Sequence, residues 1–480
     1  MKLLTPIKRI VFTVLFLFNL IGWPLNWMAP VEAASQPIRI GVGIGLSQAV
    51  ISSGSPIILK EASGKKYRAN KAITIRWAGN NRAAIGKHSL KLPLILTSSN
   101  PLAYNKVRYR GYIKIEGNGN SFSIVNVLDV EDYVRGVLKM ETNPAWPLES
   151  LKAQAIISRT YALKNIGKYG SKGFDLTATP DCQVYRGINA ETPQTDRAVK
   201  ETVGIVVTYG SDLALTPFHS DSGGATANVA EVWNSSIPYL KGVQEAISYS
   251  SPYSTWEVSL SPQQIQSALS KIGVQVGQIQ SIEIGQQDSF GRTVSLVLRG
   301  SQGATQIKSN QFRMAIGPTV LRSTFFSAVN GQHLSLKAQS VPNSPVPPSA
   351  PEQRNNVGIT NSDGPLTFEE EQTMIDLTKQ GAFSSHEMID MLMNPEKKKL
   401  YLLKALKQGE PKKQSNSVIT NTKSGAGQIR PSSEGFVFKG RGWGHGVGLS
   451  QWGAKSLAEN GWKYSQILQH YYPGTTLSRR

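Results

Sequence analysis

Ser123-Ile124-Val125-Asn126-Val127-Leu128-Asp129-Val130-Glu131-Asp132-Tyr133-Val134-Arg135-Gly136-Val137-Leu138 decides the fold. Its first six residues are mostly β-branched or leucine and read as a strand. Asp129 then has the side chain and position of a helix N-cap, and the pattern that follows predicts a helix to about Leu138. Working upstream, residues 36–127 read as β-rich, with Ile38-Arg39-Ile40-Gly41-Val42, Ala72-Ile73-Thr74-Ile75-Arg76-Trp77 and Tyr112-Ile113-Lys114-Ile115 as strands between Gly-, Asn- and Ser-rich turns. Working downstream, residues 129–168 read as helical. Pro147 suits a first turn, and Leu148, Leu151, Ala155, Ile156 and Ala162 recur near the helical period, so one face packs on a core. Gly167 or Gly170 is the expected stop. Residues 204–326 return to strands and turns, with a helix near 262–272 capped by Ser261. The sum is an α+β protein: a β-rich N-terminal part, and a central helical segment packed on mixed strands.

The 480 residues suffice for about two or three folded units. Apolar residues make up 40% and charged residues 18%, so a core is affordable and a disordered polyelectrolyte is excluded. One cysteine excludes a disulfide framework and an all-cysteine zinc site. The 52 Lys and Arg outnumber the 32 Asp and Glu, giving +20 and a preference for polyanionic surroundings: nucleic acid, an anionic membrane face or an anionic wall polymer. A solvated basic surface with no specific partner is the plainer alternative.

Residues 1–34 choose among these. Lys2, Lys8 and Arg9 precede the apolar run Ile10 to Ile21, and Val31-Glu32-Ala33 before Ala34 supplies a small-residue cleavage site, so the segment reads as a secretory signal. An uncleaved anchor is the competing reading, because Trp23 to Pro30 prolongs the apolar stretch. Cleavage would leave 49 bases against 31 acids, or +18. No other stretch approaches 18 apolar residues. An exported basic chain, in periplasm or cell wall, meets wall polymer rather than nucleic acid.

Composition changes at 340–365, where six prolines lie among Ser, Asn and Gln, and again at the polar residues 411–434. Between them, Thr367 with Glu370 and Ser384 with Glu387 form capping boxes, predicting a small helical insert over about 366–408. It reads equally as a partner-binding or spacing module and as a neutral insertion. The organisation expected is a signal at 1–34, a main domain over 36–326 completed by 435–480, and a linker with insert over 327–434.

Four constellations could carry chemistry. Glu141 lies between two helical segments, in a turn containing Pro144, Trp146 and Pro147. A carboxyl in such a semi-apolar turn can be held protonated, as a general acid for glycosidic cleavage requires, although a lone Glu at a helix end is more often structural. Asp181-Cys182-Gln183-Val184-Tyr185 places the single thiol near an acid. Metal ligand, nucleophile and inert buried thiol all stay open, the last being the default without a neighbouring His. His219-Ser220-Asp221-Ser222-Gly223-Gly224 permits close backbone approach to a ligand. It lacks the G-x-S-x-G elbow of a serine hydrolase. Finally, Gly440 to Gly453 holds Trp443, His445 and Gln451 among alternating glycines, a pattern that suits a shared saccharide groove. It is neither a P-loop nor a dinucleotide fingerprint, and a tight β corner is its plain alternative. Ser450 and Ser465 are expected to cap the last two helices.

Taken together, Tyr133-Val134-Arg135-Gly136-Val137 through Glu141, Leu151-Lys152-Ala153-Gln154-Ala155, Ser158-Arg159-Thr160-Tyr161-Ala162, Cys182-Gln183-Val184-Tyr185, Ser222-Gly223-Gly224 and Gly440 to Ala454 resemble the SpoIID/LytB family. The resemblance implies a lytic transglycosylase that cleaves the MurNAc–GlcNAc bond of peptidoglycan glycan strands and leaves a 1,6-anhydro ring. Glu141 would act as acid and then base. It implies substrate contacts from Lys152, Arg159, Tyr161, Gln183, Tyr185, Ser222, Gly223, Gly224, Trp443, His445 and Gln451, and no cofactor. The LytB-type alternative is an amidase enhancer that binds wall and stimulates an N-acetylmuramoyl-L-alanine amidase. The sequence departs from the family in having Thr177 where some members carry a zinc-binding cysteine, with no His between His88 and His219, so no metal is expected. Met140-Glu141-Thr142 also replaces the commoner Glu-Met-Pro.

Overall fold

In the computed structural model, residues 36–329 and 435–480 are described, with residues 373, 374, 399, 402 and 406 between them. The expected signal segment lies outside these residues, and so does the insert at 366–408, apart from those isolated positions.

Strands over 37–129 form two antiparallel sheets. In the larger, the order is 66–69, 57–61, 94–97, 112–118, 121–129 and 37–46, with the short strand 176–177 added in parallel at the edge. The second sheet runs 107–109, 102–104, 48–53, 72–77, 82–85 and 88–91. Alternation drives both. Ile73 and Ile75 are buried while Thr74 and Arg76 are not, the period of a half-buried strand. Ile38, Ile40, Ile51, Ile75, Leu94, Ile113 and Ile124 meet in one core. Strand 121–129 breaks the alternation, being buried on both faces. Phe122 and Ile124 enter the main core, whereas Val125 and Val127 are covered by Phe174.

This strand feeds helix α1 (Val130–Glu141), and the Asp129 carboxylate accepts the Glu131 N–H at 2.8 Å as the expected cap. α1 runs three residues past the predicted Leu138 and buries Tyr133, Val134, Val137 and Leu138 in the first core. Helix α2 (Leu148–Lys164) follows the 142–147 turn and ends at an Asn165 cap, before either glycine expected to stop it. It packs on two cores rather than one. Leu151, Ala155 and Ala162 face the first; Ala153, Ile156 and Ile157 face a second, built with Val207, Leu449, Leu457, Ile467 and Tyr471. A helix buried on two opposite sides serves as a partition. Helix α3 (Pro193–Glu201), set by a Thr192/Thr195 capping box with Pro193 in the first turn, joins the helical layer.

The second core is closed by α4 (Val229–Trp233), α7 (Gln451–Glu459), α8 (Tyr464–Tyr471) and a small sheet of strands 205–209, 212–213 and 476–479. α7 is capped by Ser450 as expected. α8 starts at Tyr464, with Lys463 and not Ser465 at the capping position. A third core, rich in Phe312, Phe326, Phe436 and Phe438, joins α5 (Pro262–Ser270, capped by Ser261) and α6 (Ser309–Ile316) to strands 256–260, 279–287, 293–300 and 303–308. Within it, strand 436–440 pairs antiparallel with both 256–260 and 326–329. The strands on either side of residues 330–434 therefore pair with each other, which brings the Gly-rich block back beside the central helices.

Candidate functional site

Glu141 is the last residue of α1 and is half-buried. The turn that follows is fixed locally: the Asn143 side chain accepts the Ala145 N–H at 2.9 Å, its carbonyl accepts the Trp146 N–H at 3.0 Å, and the Ser150 hydroxyl donates to the Pro147 carbonyl at 2.7 Å. Two distant segments close on the acid. The Val184 N–H donates to Glu141 Oε1 at 3.2 Å. Gln451, the first residue of α7, donates from Nε2 to the Glu141 carbonyl at 2.7 Å and to Gln154 Oε1 at 3.3 Å. Beside it the Trp452 ring meets Trp146 edge-on, centroids 5.2 Å apart. The carboxyl thus lies at a junction of α1, the 183–185 segment and the Gly-rich block.

Tyr133 and Tyr161 stand around this junction. Burial pushes both phenols up, and the neighbouring Cys182 and Glu141 add to it, so both remain O–H donors at neutral pH. Tyr133 donates to Gln183 Oε1 at 3.2 Å, while the buried Gln183 Nε2 has no partner among the described residues. Cys182 is half-buried, with Lys168 Nζ 3.8 Å from its sulfur.

A second polar cluster adjoins through α7. The Ser450 side chain caps the helix by accepting the Gly453 N–H and also accepts the Ser222 N–H at 3.1 Å. The Ser222 hydroxyl donates to Glu245 Oε1 at 2.5 Å, and Tyr471 donates to Glu245 Oε2 at 2.6 Å. Tyr249 lies within 3.2 Å of Ser222 and Ser450 and donates to Asp221 Oδ1 at 3.0 Å; Ser251 donates to Asp221 Oδ2. Burial pushes the Glu245 carboxyl up to about 7. Glu245, Tyr249 and Tyr471 carry no sequence signal of their own. The one hint is Gly453, where a Cβ would stand 2.0 Å from the Tyr471 oxygen and 2.5 Å from Glu245 Oε2.

The remaining site residues fall in several places. Tyr161 and Gln183 are near Glu141. Tyr185 is buried: it donates to Asn126 Oδ1 at 2.8 Å and packs on Gly136, where a Cβ would meet its ring at 2.3 Å. Arg159, expected to touch substrate, is fully buried and forms a bidentate pair with Glu131 at 2.7 and 2.6 Å. Its environment is that of a strut between α1 and α2, not of a groove wall. Lys152 is held between Glu149 at 2.9 Å and Glu201 at 2.7 Å. Ser222 is fully buried in the second cluster, and Gly223 and Gly224 take the positive φ that favours glycine (+73° and +110°).

Trp443, His445 and Gln451 do not share one groove contact. Gln451 meets Glu141. Trp443 packs edge-on against Tyr253 and under Arg322, and exchanges backbone hydrogen bonds with Asp221. His445 stacks near Trp233 and His219, accepts the Val447 N–H on Nδ1, and burial pushes it down to about 4, so it is neutral at pH 7.

Residues 118–209 match the family model described as stage II sporulation protein, SpoIID. That span contains Glu141, its turn, both central helices and the 182–185 segment. Over 235 residues the chain is 30% identical to an uncharacterised protein of Brachyspira hyodysenteriae, covering 49% of this chain and 62% of the relative. It is 26% identical over 348 residues to the amidase enhancer of Bacillus subtilis, covering 72% and 40% respectively. It is also 24% identical over 374 residues to the stage II sporulation protein D of Bacillus amyloliquefaciens, covering 75% and 76%. Fold, motifs and relatives agree on a class: an α+β protein with a SpoIID region. Over these spans the chain is similar to the SpoIID/LytB family. It spans less than two thirds of the length of the first two of these relatives.

Proposed function

We propose that this protein is an exported lytic transglycosylase of peptidoglycan, with Glu141 as its single acid–base group. The observation that carries the reading is the junction at Glu141. The carboxyl is oriented by the Val184 N–H, and its backbone is tied to Gln451 of a segment 310 positions away. Trp146 and Trp452, both half-buried, stand beside it as ring surfaces of the kind that pack on sugars. Glu141 protonates the glycosidic oxygen between MurNAc and GlcNAc, and that C–O bond breaks. The C6 hydroxyl of the muramic acid then closes on C1 and returns its proton to the Glu141 carboxylate. No water is consumed, and one carboxyl serves both steps, unlike the usual pair. The Gln183 amide nitrogen, which has no partner among the described residues, is a donor available to charge developing nearby. Mature protein incubated with purified sacculi is expected to release 1,6-anhydro products, and Glu141→Gln to release none. Equal release by both proteins refutes the role of Glu141.

The amidase-enhancer relative, aligned over 72% of this chain, favours a second reading. In it the protein binds the wall and stimulates an N-acetylmuramoyl-L-alanine amidase. That reading predicts undiminished stimulation by Glu141→Gln and no anhydro product from either form. No helix among the described residues is long and apolar enough to cross a membrane, which is compatible with export by way of residues 1–34.

A further inference from the structure

Away from Glu141, the third core and the Gly-rich block line a half-open cavity of about 560 Å³. That volume falls within the roughly 300–1,000 Å³ of small-molecule sites. Its walls include Arg441, Phe325, Trp256, Ser254, Thr255 and Gly440. The Phe325 ring has two guanidinium groups on it, Arg441 at 4.0 Å and Arg292 at 4.6 Å from its centroid. Neither makes an ion pair with an acid among the described residues. Arg292 is buried and donates from Nη2 to the carbonyls of Ser222 and Ala225, while its Nε has no partner among the described residues. Arg441 is half-buried and faces the cavity; burial disfavours the charge of both guanidinium groups, and Arg441 adds to the effect on Arg292. Glu257, the acid in the lining, is paired with Lys439 at 3.0 Å at the exposed rim. A guanidinium without a counter-ion in a partly desolvated cavity attracts an oxyanion and presents a planar fork to it.

The rest of the lining describes what carries the anion. Ser254 and Thr255 contribute hydroxyls. Gly440 keeps the wall thin, since a Cβ there would stand 2.3 Å from the Trp256 ring. The cavity is far larger than a bare phosphate ion needs. Phe325 already has both guanidinium groups against its ring, and the polar groups in the lining include the Arg441 guanidinium and the two hydroxyls. We propose that this cavity binds a sugar-sized, hydroxylated oxyanion through Arg441. The acidic group is either a carboxylate on a sugar ring or a phosphate on a polyol. The cavity backs onto the Ser222-Gly223-Gly224 loop: a Cβ at Gly223 would meet Arg441 at 3.0 Å, and Arg292 holds the Ser222 carbonyl. The inference stands independently of the role given to Glu141.

The test is calorimetric titration of the mature protein with N-acetylmuramic acid, glycerol 3-phosphate and N-acetylglucosamine, repeated on Arg441→Gln. Saturable binding of one or both acidic probes is expected, with N-acetylglucosamine and the Arg441→Gln protein each weaker by at least about tenfold. Which acidic probe binds more tightly identifies the source of the anion. Binding that ignores Arg441→Gln, equal binding of the uncharged sugar, or no binding of either acid overturns the proposal. Should Arg441→Gln fail to fold, modification of wild-type Arg441 by phenylglyoxal replaces it. Protection of that residue by the acidic probe supports the site, and undiminished modification overturns it.

Discussion

At the scale of single residues, the arrangement depends on who holds Glu141. Gln451 uses its amide to fix the Glu141 carbonyl and Gln154, so it positions the acid instead of contacting a sugar through those protons. Gln451→Ala is expected to lower the turnover of anhydro-product formation by about tenfold with little change in KM. Its stability cost is about 1 kcal/mol. Unchanged turnover contradicts the positioning role. Glu245 gives a pH test. Folded, it titrates near about 7; unfolded, near about 4.3. Between those values the folded chain keeps a proton that the unfolded chain has lost, so its contribution to stability falls as pH rises from about 4.3 to about 7 and is constant above. Glu245→Gln removes that fall. The melting temperature of the variant relative to wild type is therefore expected to climb across this window and then level off; a difference flat in pH contradicts the assignment. The turn after Glu141 was legible in the sequence because two prolines and a tryptophan mark it; the role expected of Glu141 came from the family resemblance. Glu245 was not: it lies in an irregular loop, and its partners Ser222 and Tyr471 come from 23 residues before and 226 residues after it.

At the scale of elements, the strand-to-helix switch at Asp129 was readable because β-branched periodicity ends at a capping side chain, both local signals. The environment of α2 was not readable from one apolar stripe. Its Ala, Ser and Thr positions look neutral alone, yet they are buried because two cores press on the helix. Arg159 shows the same limit. A basic residue on a helix suggests an exposed or ligand-binding role. Here Glu131 on α1, which also accepts the Gly204 N–H, turns it into a buried tie that additionally donates to the Ile205 carbonyl. Removing one member of such a pair strands the other charge. Arg159→Met is expected to cost about 3–5 kcal/mol in urea unfolding. A loss below about 1 kcal/mol would place Arg159 outside the fold's support and return it to the groove.

At the scale of the whole molecule, residues far apart in sequence form one unit because strand 436–440 is stitched between 256–260 and 326–329. The ends of the 330–434 segment therefore lie on paired strands, Val329 opposite Phe438. Replacing residues 331–433 by a short Gly/Asn loop is expected to preserve cooperative unfolding and release of anhydro product. Loss of folding would show that the segment supports the core, and loss of product alone would assign it a functional part. The most direct test of the central claim is digestion of glycan strands in ¹⁸O-labelled water with wild type and Glu141→Gln. Intramolecular closure by the C6 hydroxyl predicts wild-type products that lack one water and carry no label at C1, with no products from the variant. Labelled, hydrated reducing ends, or unlabelled anhydro ends made equally well without the Glu141 carboxyl, would contradict it.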